Sequence, residues 1–211
     1  MSAASKILGS LLAGTLMVGC RAGAPAAAQS PAAPGDGRQS VDELLRRFDT
    51  LSAEHGWQPE TVYTYPGNEA PPIRAWRTRQ RGEALWVLAG IHGEEPAGPN
   101  AIAQNLKSIS DLAAAGVPMV VIPLCNPKGY RNNWRYPNTA ERDWRKGGYS
   151  VGDSEYLLPD TGTGSMPRAP RPPGPETQAL TGFALSTAVS YPPRLVLDLH
   201  EDELSTAGGY I

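Results

Sequence analysis

A chain of 211 residues has room for one domain of ordinary size with appendages. Hydrophobic residues make up 40% of it and charged residues 19%, which describes a folded globular protein and excludes the fibrous and disordered classes. The formal net charge of −2 excludes a counterion-displacing grip on phosphates, so nucleic acid is not an expected partner.

The first residues read as an export signal. Lys6 supplies positive charge, an apolar run extends from Ile7 to Val18, and Met17-Val18-Gly19-Cys20 closes it. The run falls short of the roughly 20 apolar residues that span a bilayer. The closing tetrapeptide resembles a bacterial lipobox, whose cysteine is lipidated and becomes the first residue of the mature protein. A lipid on Cys20 would hold the protein to a membrane at the bacterial cell envelope, on the periplasmic side or the cell surface; an ordinary signal peptide with a chance cysteine is the alternative. From Arg21 to Gln39 the chain is dominated by Ala, Pro, Gly and Ser and lacks the large side chains needed to bury a core, so it is expected to be a tether.

The folded domain is expected over 40–211. Ser40 and Glu43 have the spacing of a capping box, and Leu44, Leu45, Phe48 and Leu51 recur at helical intervals behind them. Thr61 to Tyr65 and Ile73 to Arg77 are short strand candidates separated by Pro66-Gly67-Asn68 and Pro71-Pro72, and both read as edge strands. Ala84 to Ala89 is a nearly continuous apolar run, the pattern of a strand covered on both faces. A helical pattern over Gly98 to Ile109 follows, then a second apolar run from Met119 to Leu124. Cys125, the one cysteine left after Cys20, can form no disulfide within the domain and is expected to be a small buried apolar residue.

Residues 126–175 are rich in Gly, Pro, Asn and Arg and carry little periodicity, so they are expected to form a long irregular excursion of the kind that usually serves function. Glu176 to Thr187 is compatible with helix, and Arg194 to Leu199 is a third buried-strand candidate. Buried strands alternating with helices predict an α/β fold with a mainly parallel sheet, whose ligands gather beyond the carboxyl ends of the strands.

Two of the three histidines stand at such ends. His92 and Glu95 follow the first apolar run in Gly90-Ile91-His92-Gly93-Glu94-Glu95-Pro96, and His200 ends the last strand in Leu197-Asp198-Leu199-His200. Pro96 is suited to begin a helix, so His92 and Glu95 flank a strand-to-helix turn from which both side chains can reach one point. Two imidazoles and a carboxylate with one open position make a hydrolytic zinc site, so His92, Glu95 and His200 are the expected metal ligands. Asp198, two residues before His200, either orients that histidine or serves packing alone. His55 precedes Gly56 at the end of the first predicted helix, where a cation suits the helix dipole, and is expected to cap rather than ligate.

With these residues placed, the sequence resembles the zinc carboxypeptidase superfamily, including its branch of succinylglutamate desuccinylases and aspartoacylases. The resemblance covers roughly residues 60–211 through His92-Gly93-Glu94-Glu95, Asn126-Pro127-Lys128-Gly129-Tyr130 and Asp198-Leu199-His200-Glu201-Asp202. It implies zinc, a mixed sheet of mainly parallel strands flanked by helices, and hydrolysis of an amide next to a substrate carboxylate. In that superfamily, arginines after the Asn-Pro-x-Gly segment bind the carboxylate and polarise the scissile carbonyl. Arg135 is the expected catalytic arginine and Arg145 the expected substrate-binding one, with Arg131 and Arg142 as competitors. Asn126 is a substrate-binding candidate whose more natural role, like that of Gly129, is to shape the turn. Trp144 stands where the superfamily's Asp-x-Asn-Arg segment has asparagine.

The superfamily's general-base glutamate lies on a later strand, and 11 residues follow His200 here, so a chain truncated at its C-terminus is expected. Glu201, Asp202 and Glu203 do not match that position. The leading expectation is a surface-tethered zinc carboxypeptidase acting on peptides. Its alternatives are a zinc deacylase of small N-acyl amino acids and a non-catalytic lipoprotein that binds zinc or a peptide.

Overall fold

In a computed structural model of the protein, the structure describes residues 36–135 and 174–201. The signal and lipobox region, the tether up to residue 35, Arg142, Arg145, Asp202 and Glu203 lie outside these. Among the described residues, no helix is long and apolar enough to cross a membrane.

The chain enters through α1, Val41–His55, whose N-cap Ser40 accepts from the Glu43 amide and whose C-cap Gly56 takes the left-handed conformation (φ 63°). Then come β1, Gln58–Tyr63, a single 3₁₀ turn at Pro66–Asn68, β2, Ile73–Arg77, and β3, Ala84–Ala89. Two helices follow, α2, Ala97–Gln104, and α3, Leu106–Ala114, before β4, Met119–Ile122, and the short α4, Pro127–Asn132. Past the excursion lie α5, Pro175–Thr187, and β5, Pro193–Leu199.

The five strands form one sheet in the order β1-β2-β4-β3-β5. β3 is parallel to both β4 and β5, while β2 is antiparallel to β1 and β4, so every strand except β2 points the same way. This is the mixed, mainly parallel α/β sheet that the sequence predicts.

Strand alternation sorts the core into two layers. Ala84, Trp86, Val120 and Ile122 face Leu180, Phe183 and Tyr191 from α5 and the turn behind it. Val87, Ala89, Met119 and Val121 face Leu44, Phe48, Ile102, Leu106 and Ile109 from α1, α2 and α3. Apolar demand on both faces explains why β3 and β4 read as unbroken hydrophobic runs. The one polar atom of Trp86 is satisfied, since its Nε1 donates to the Tyr191 carbonyl at 2.9 Å.

Several expectations are corrected. β1 is an edge, but β2 lies between β1 and β4. The helix expected over Gly98 to Ile109 is two helices broken at Asn105 (φ −104°, ψ 18°), whose side-chain amide donates to the Ala101 carbonyl; such local bonding lets Asn leave helical geometry cheaply. β5 is paired on one side only among the described residues, and Leu195 and Leu197 are 44% and 40% exposed instead of buried. Residues 36–39, assigned to the tether by composition, hydrogen bond to the domain. The excursion expected to be irregular opens with the helix α4. His55 stands in the last turn of α1 as expected, with Gly56 as the C-cap residue, and its ring also bonds Ser110 on α3 at 2.6 Å.

Candidate metal centre

Backbone register sets the site. Ala89, the last residue of β3, is paired with Leu199, the last residue of β5, so the chain leaves both strands at one level with His200 beside the turn after β3. Gly90 makes that turn with φ 63°, and a Cβ there would also lie 2.5 Å from Leu124 Cδ1. The loop after β4 is stitched alongside, because Cys125 and Asn126 donate their amides to the carbonyls of Ala89 and Gly90, each at 2.9 Å. Cys125 is fully buried and burial pushes its thiol up, in keeping with the expected apolar role.

Two expected ligands, His92 and Glu95, come from the turn between β3 and α2, and the third comes from the end of β5. His92 Nδ1 is 2.7 Å from Glu95 Oε1, and His200 Nδ1 is 2.9 Å from Glu95 Oε2. The imidazole centroids are 4.9 Å apart. One ligand atom from each of the three residues falls within 4.8 Å of the others, a grouping able to hold a metal ion. His92 and Glu95 are 12% and 11% exposed at their side chains, and His200 is 39% exposed, so the group is open on the His200 side.

The charge states are set within the group. Burial alone would raise the Glu95 pKa, but hydrogen bonds from His200 and His92 outweigh it and hold the carboxyl well below its ordinary range. The hydrogen bond to Asp198, then that to Glu95, push the His200 imidazolium up to about 10 against the opposing effect of burial. Its Nε2 lies 3.1 Å from Asp198 Oδ2, so Asp198 takes the orienting role that the sequence left open.

A metal ion needs the neutral imidazole, which gives a pH prediction. The His200 pKa in the fold is raised above its ordinary value of 6.5, so the protonated pair stabilises metal-free protein fully below pH 6.5. That contribution is lost as pH climbs through about 10. The melting temperature of chelator-treated protein should therefore fall across this interval. His200→Ala should flatten the fall, and an unchanged slope in that variant would rule out the pairing as its source.

The other sequence candidates fall into place around this group. Arg135 reaches it: its Nη1 donates to Glu94 Oε1 at 2.7 Å and to Glu95 Oε1 at 3.1 Å, and its Nη2 lies 3.2 Å from His92 Nε2. Asn126 is fully buried and N-caps α4, accepting from the Gly129 amide at 2.8 Å and donating to the carbonyls of Ile91 and Arg135. It therefore shapes the turn, and its amide is occupied with backbone. Arg131 is exposed and borders a cleft of about 470 Å³ with Asp42, Leu45 and Pro71. Glu201 accepts from the Ala97 amide at 3.0 Å, at the start of α2, and donates its own amide to Glu95 Oε2 at 3.2 Å.

The sequence reading missed Glu94 as the partner of Arg135. Its signal was present, as a second carboxylate adjoining a ligand in a chain that sends an arginine back to the same turn. It also missed Gly93, which packs directly on α4. Arg38 had only its charge to mark it within a stretch of small residues.

No family model matches the sequence, and no curated protein does. Solved structures do match in fold. A Shewanella baltica OS155 protein assigned as a metallopeptidase superposes with a TM-score of 0.54 at 19% identity, over 78% of this chain and 56% of that one. A metallo-carboxypeptidase from Burkholderia cenocepacia gives 0.54 at 16% identity, over 79% and 42%. The carboxypeptidase A of Helicoverpa armigera gives 0.53 at 16% identity, over 78% and 46%. The chain thus has the metallocarboxypeptidase fold, and it spans little more than half the length of the first of these relatives.

Proposed function

We propose that the chain carries the metal centre of a zinc-dependent, metallocarboxypeptidase-type hydrolase that cleaves a peptide amide next to a free carboxylate. One observation carries this reading: two imidazoles and a buried carboxylate meet at the carboxyl ends of adjacent parallel strands, in a metallocarboxypeptidase fold. The donor set fits zinc, being two nitrogens and one oxygen with an exposed side, where structural zinc sites are closed by four protein ligands. His92, Glu95 and His200 would hold the ion. Bound there, zinc supplies Lewis acidity toward a carbonyl oxygen and lowers the pKa of water.

The remaining chemistry belongs to the chain. Glu95 is kept ionised by its two histidine partners, and Asp198 fixes the His200 ring from behind. Arg135 presents a planar guanidinium beside the group, the geometry that donates to both oxygens of a carboxylate. It rests on Glu94, so an incoming substrate carboxylate would share or exchange that partner. Glu94 is engaged by Arg135, and Glu201 by the start of α2, so neither is assigned as the base that takes a proton from water.

The lipid expected on Cys20 would carry this hydrolase to the cell envelope, where peptides are at hand. The test is an assay of the protein in the membrane fraction of its host on peptides with free and amidated C-termini. Free peptides should be cleaved and amidated ones spared, and Cys20→Ser should move the activity to the soluble fraction. Equal cleavage of both peptides would overturn the carboxypeptidase reading, and turnover of N-acyl amino acids alone would replace it with deacylation.

A further inference from the structure

The short segment ahead of α1 lies on the loops that carry the metal group. Arg38 Nη1 donates to the Tyr130 carbonyl and, at 3.4 Å, to the Gly93 carbonyl, and its Nη2 donates to Asn133 Oδ1 at 3.0 Å. The guanidinium sits 4.7 Å from the centroid of the Tyr130 ring, and Asp36 Oδ2 receives its Nε at 2.6 Å. Three more bonds pin the same segment: the Gln39 amide to Asn100 Oδ1, Asn100 Nδ2 to the Gly37 carbonyl, and the Tyr130 hydroxyl to the Gln39 carbonyl, at 2.9–3.1 Å. The Arg38 side chain is only 18% exposed.

We propose that Arg38 is a positioning residue for the metal group, fixing the His92–Glu95 turn against α4. Gly93 lies between the two ligands that this turn supplies and has no side chain of its own to anchor it. Its amide donates to the Arg135 carbonyl at 3.2 Å, and its carbonyl accepts from Arg38. The surface beneath is the backbone of Gly129, Tyr130 and Trp134, close enough that no Cβ would fit. Arg38 bonds that surface too, through the Tyr130 carbonyl and Asn133, so one planar fork grips both the turn and the helix it rests on. Capping of α4 alone would not need the Gly93 contact. A lysine has one nitrogen from which to donate, whereas the guanidinium reaches the three acceptors from two nitrogens held apart in one plane and stacks on Tyr130 as well.

The affinity arm of the test rests on the metal reading above; the exchange arm does not. Cobalt titration and amide hydrogen exchange at Gly93 are measured on the full chain for wild type, Arg38→Met and Arg38→Lys. Phe48→Leu, a fully buried core position outside the metal group, is the stability control. Arg38→Met should weaken cobalt binding roughly 10- to 100-fold, as loss of outer partners does elsewhere, and should speed Gly93 exchange. Arg38→Lys should recover part of both, and Phe48→Leu should change neither beyond its global destabilisation. Wild-type behaviour of Arg38→Met in both measurements would overturn the proposal, as would Phe48→Leu reproducing both changes. If wild type bound no cobalt, the metal reading would fail; Gly93 exchange left unchanged by Arg38→Met would then overturn the positioning role, and faster exchange would support it.

Discussion

His92→Ala and His200→Ala should each lower bound zinc from roughly one ion per chain to near zero, measured by elemental analysis after dialysis against trace metal. Each removes one of three protein donors, so the loss should exceed the roughly 10- to 100-fold typical of outer partners. Both variants should carry a side effect on stability, since each imidazole partners Glu95. His200 is 39% exposed, but its ring bonds both Glu95 and Asp198, so its removal should cost metal-free stability below its raised pKa as well as metal. His92 is 12% exposed, and its loss takes one of two imidazole partners from the buried Glu95 carboxylate. His92→Ala should therefore cost stability as well as metal, because a buried charge deprived of a partner is penalised. Full zinc content in both variants would eliminate the proposed ligand set.

Gly93→Ala should be the most damaging glycine-to-alanine change among the described residues. The added Cβ would run into Gly129 C, Tyr130 N and the Trp134 carbonyl, all main-chain atoms of α4 and its exit. Side chains can rotate away from an intruding methyl, but this backbone is held by the Asn126 cap and by the bond from the Gly93 amide to the Arg135 carbonyl. Overpacking usually costs about 1–3 kcal/mol, and an obstacle that cannot yield places this case at about 3 kcal/mol or above. Denaturant melts of Gly93→Ala and the control Gly182→Ala should separate widely, since a Cβ at Gly182 meets nothing within 4 Å. Equal midpoints would mean that the turn and α4 are not packed as described.

The three residues that the fold brings together as candidate ligands stood out because their signals are local. Ala84 to Ala89 and Leu195 to Leu199 announce strands, and the histidines that follow stand at the ends where such sheets bind ligands. The capping box at Ser40 and the turn-shaping role of Asn126 were legible for the same reason. What stayed hidden depends on partners remote in sequence. Ile73 to Arg77 resembles an edge strand by its flanking prolines, and only β4, arriving some forty residues later, makes it interior. Arg38 looks like one more solvated charge in a tether, since its acceptors around Gly93 and α4 lie 55 to 95 positions away. Leu195 and Leu197 read as buried because hydropathy cannot report that β5, among the described residues, has a neighbour on one side alone. The fold match then rests on shape, at identities where no family model responds.

The adjacency of β3 and β5 dictates an order of events during folding. Glu95 can meet His92 as soon as one turn forms, whereas its second imidazole lies 105 positions further along, on a strand that must close the longest loop in the sheet. Closure entropy grows only slowly with length, by roughly 0.6 kcal/mol per doubling, but contacts so distant slow the search for the native pairing. Two of the three candidate ligands therefore come together locally, and the third joins them only once β5 has docked against β3.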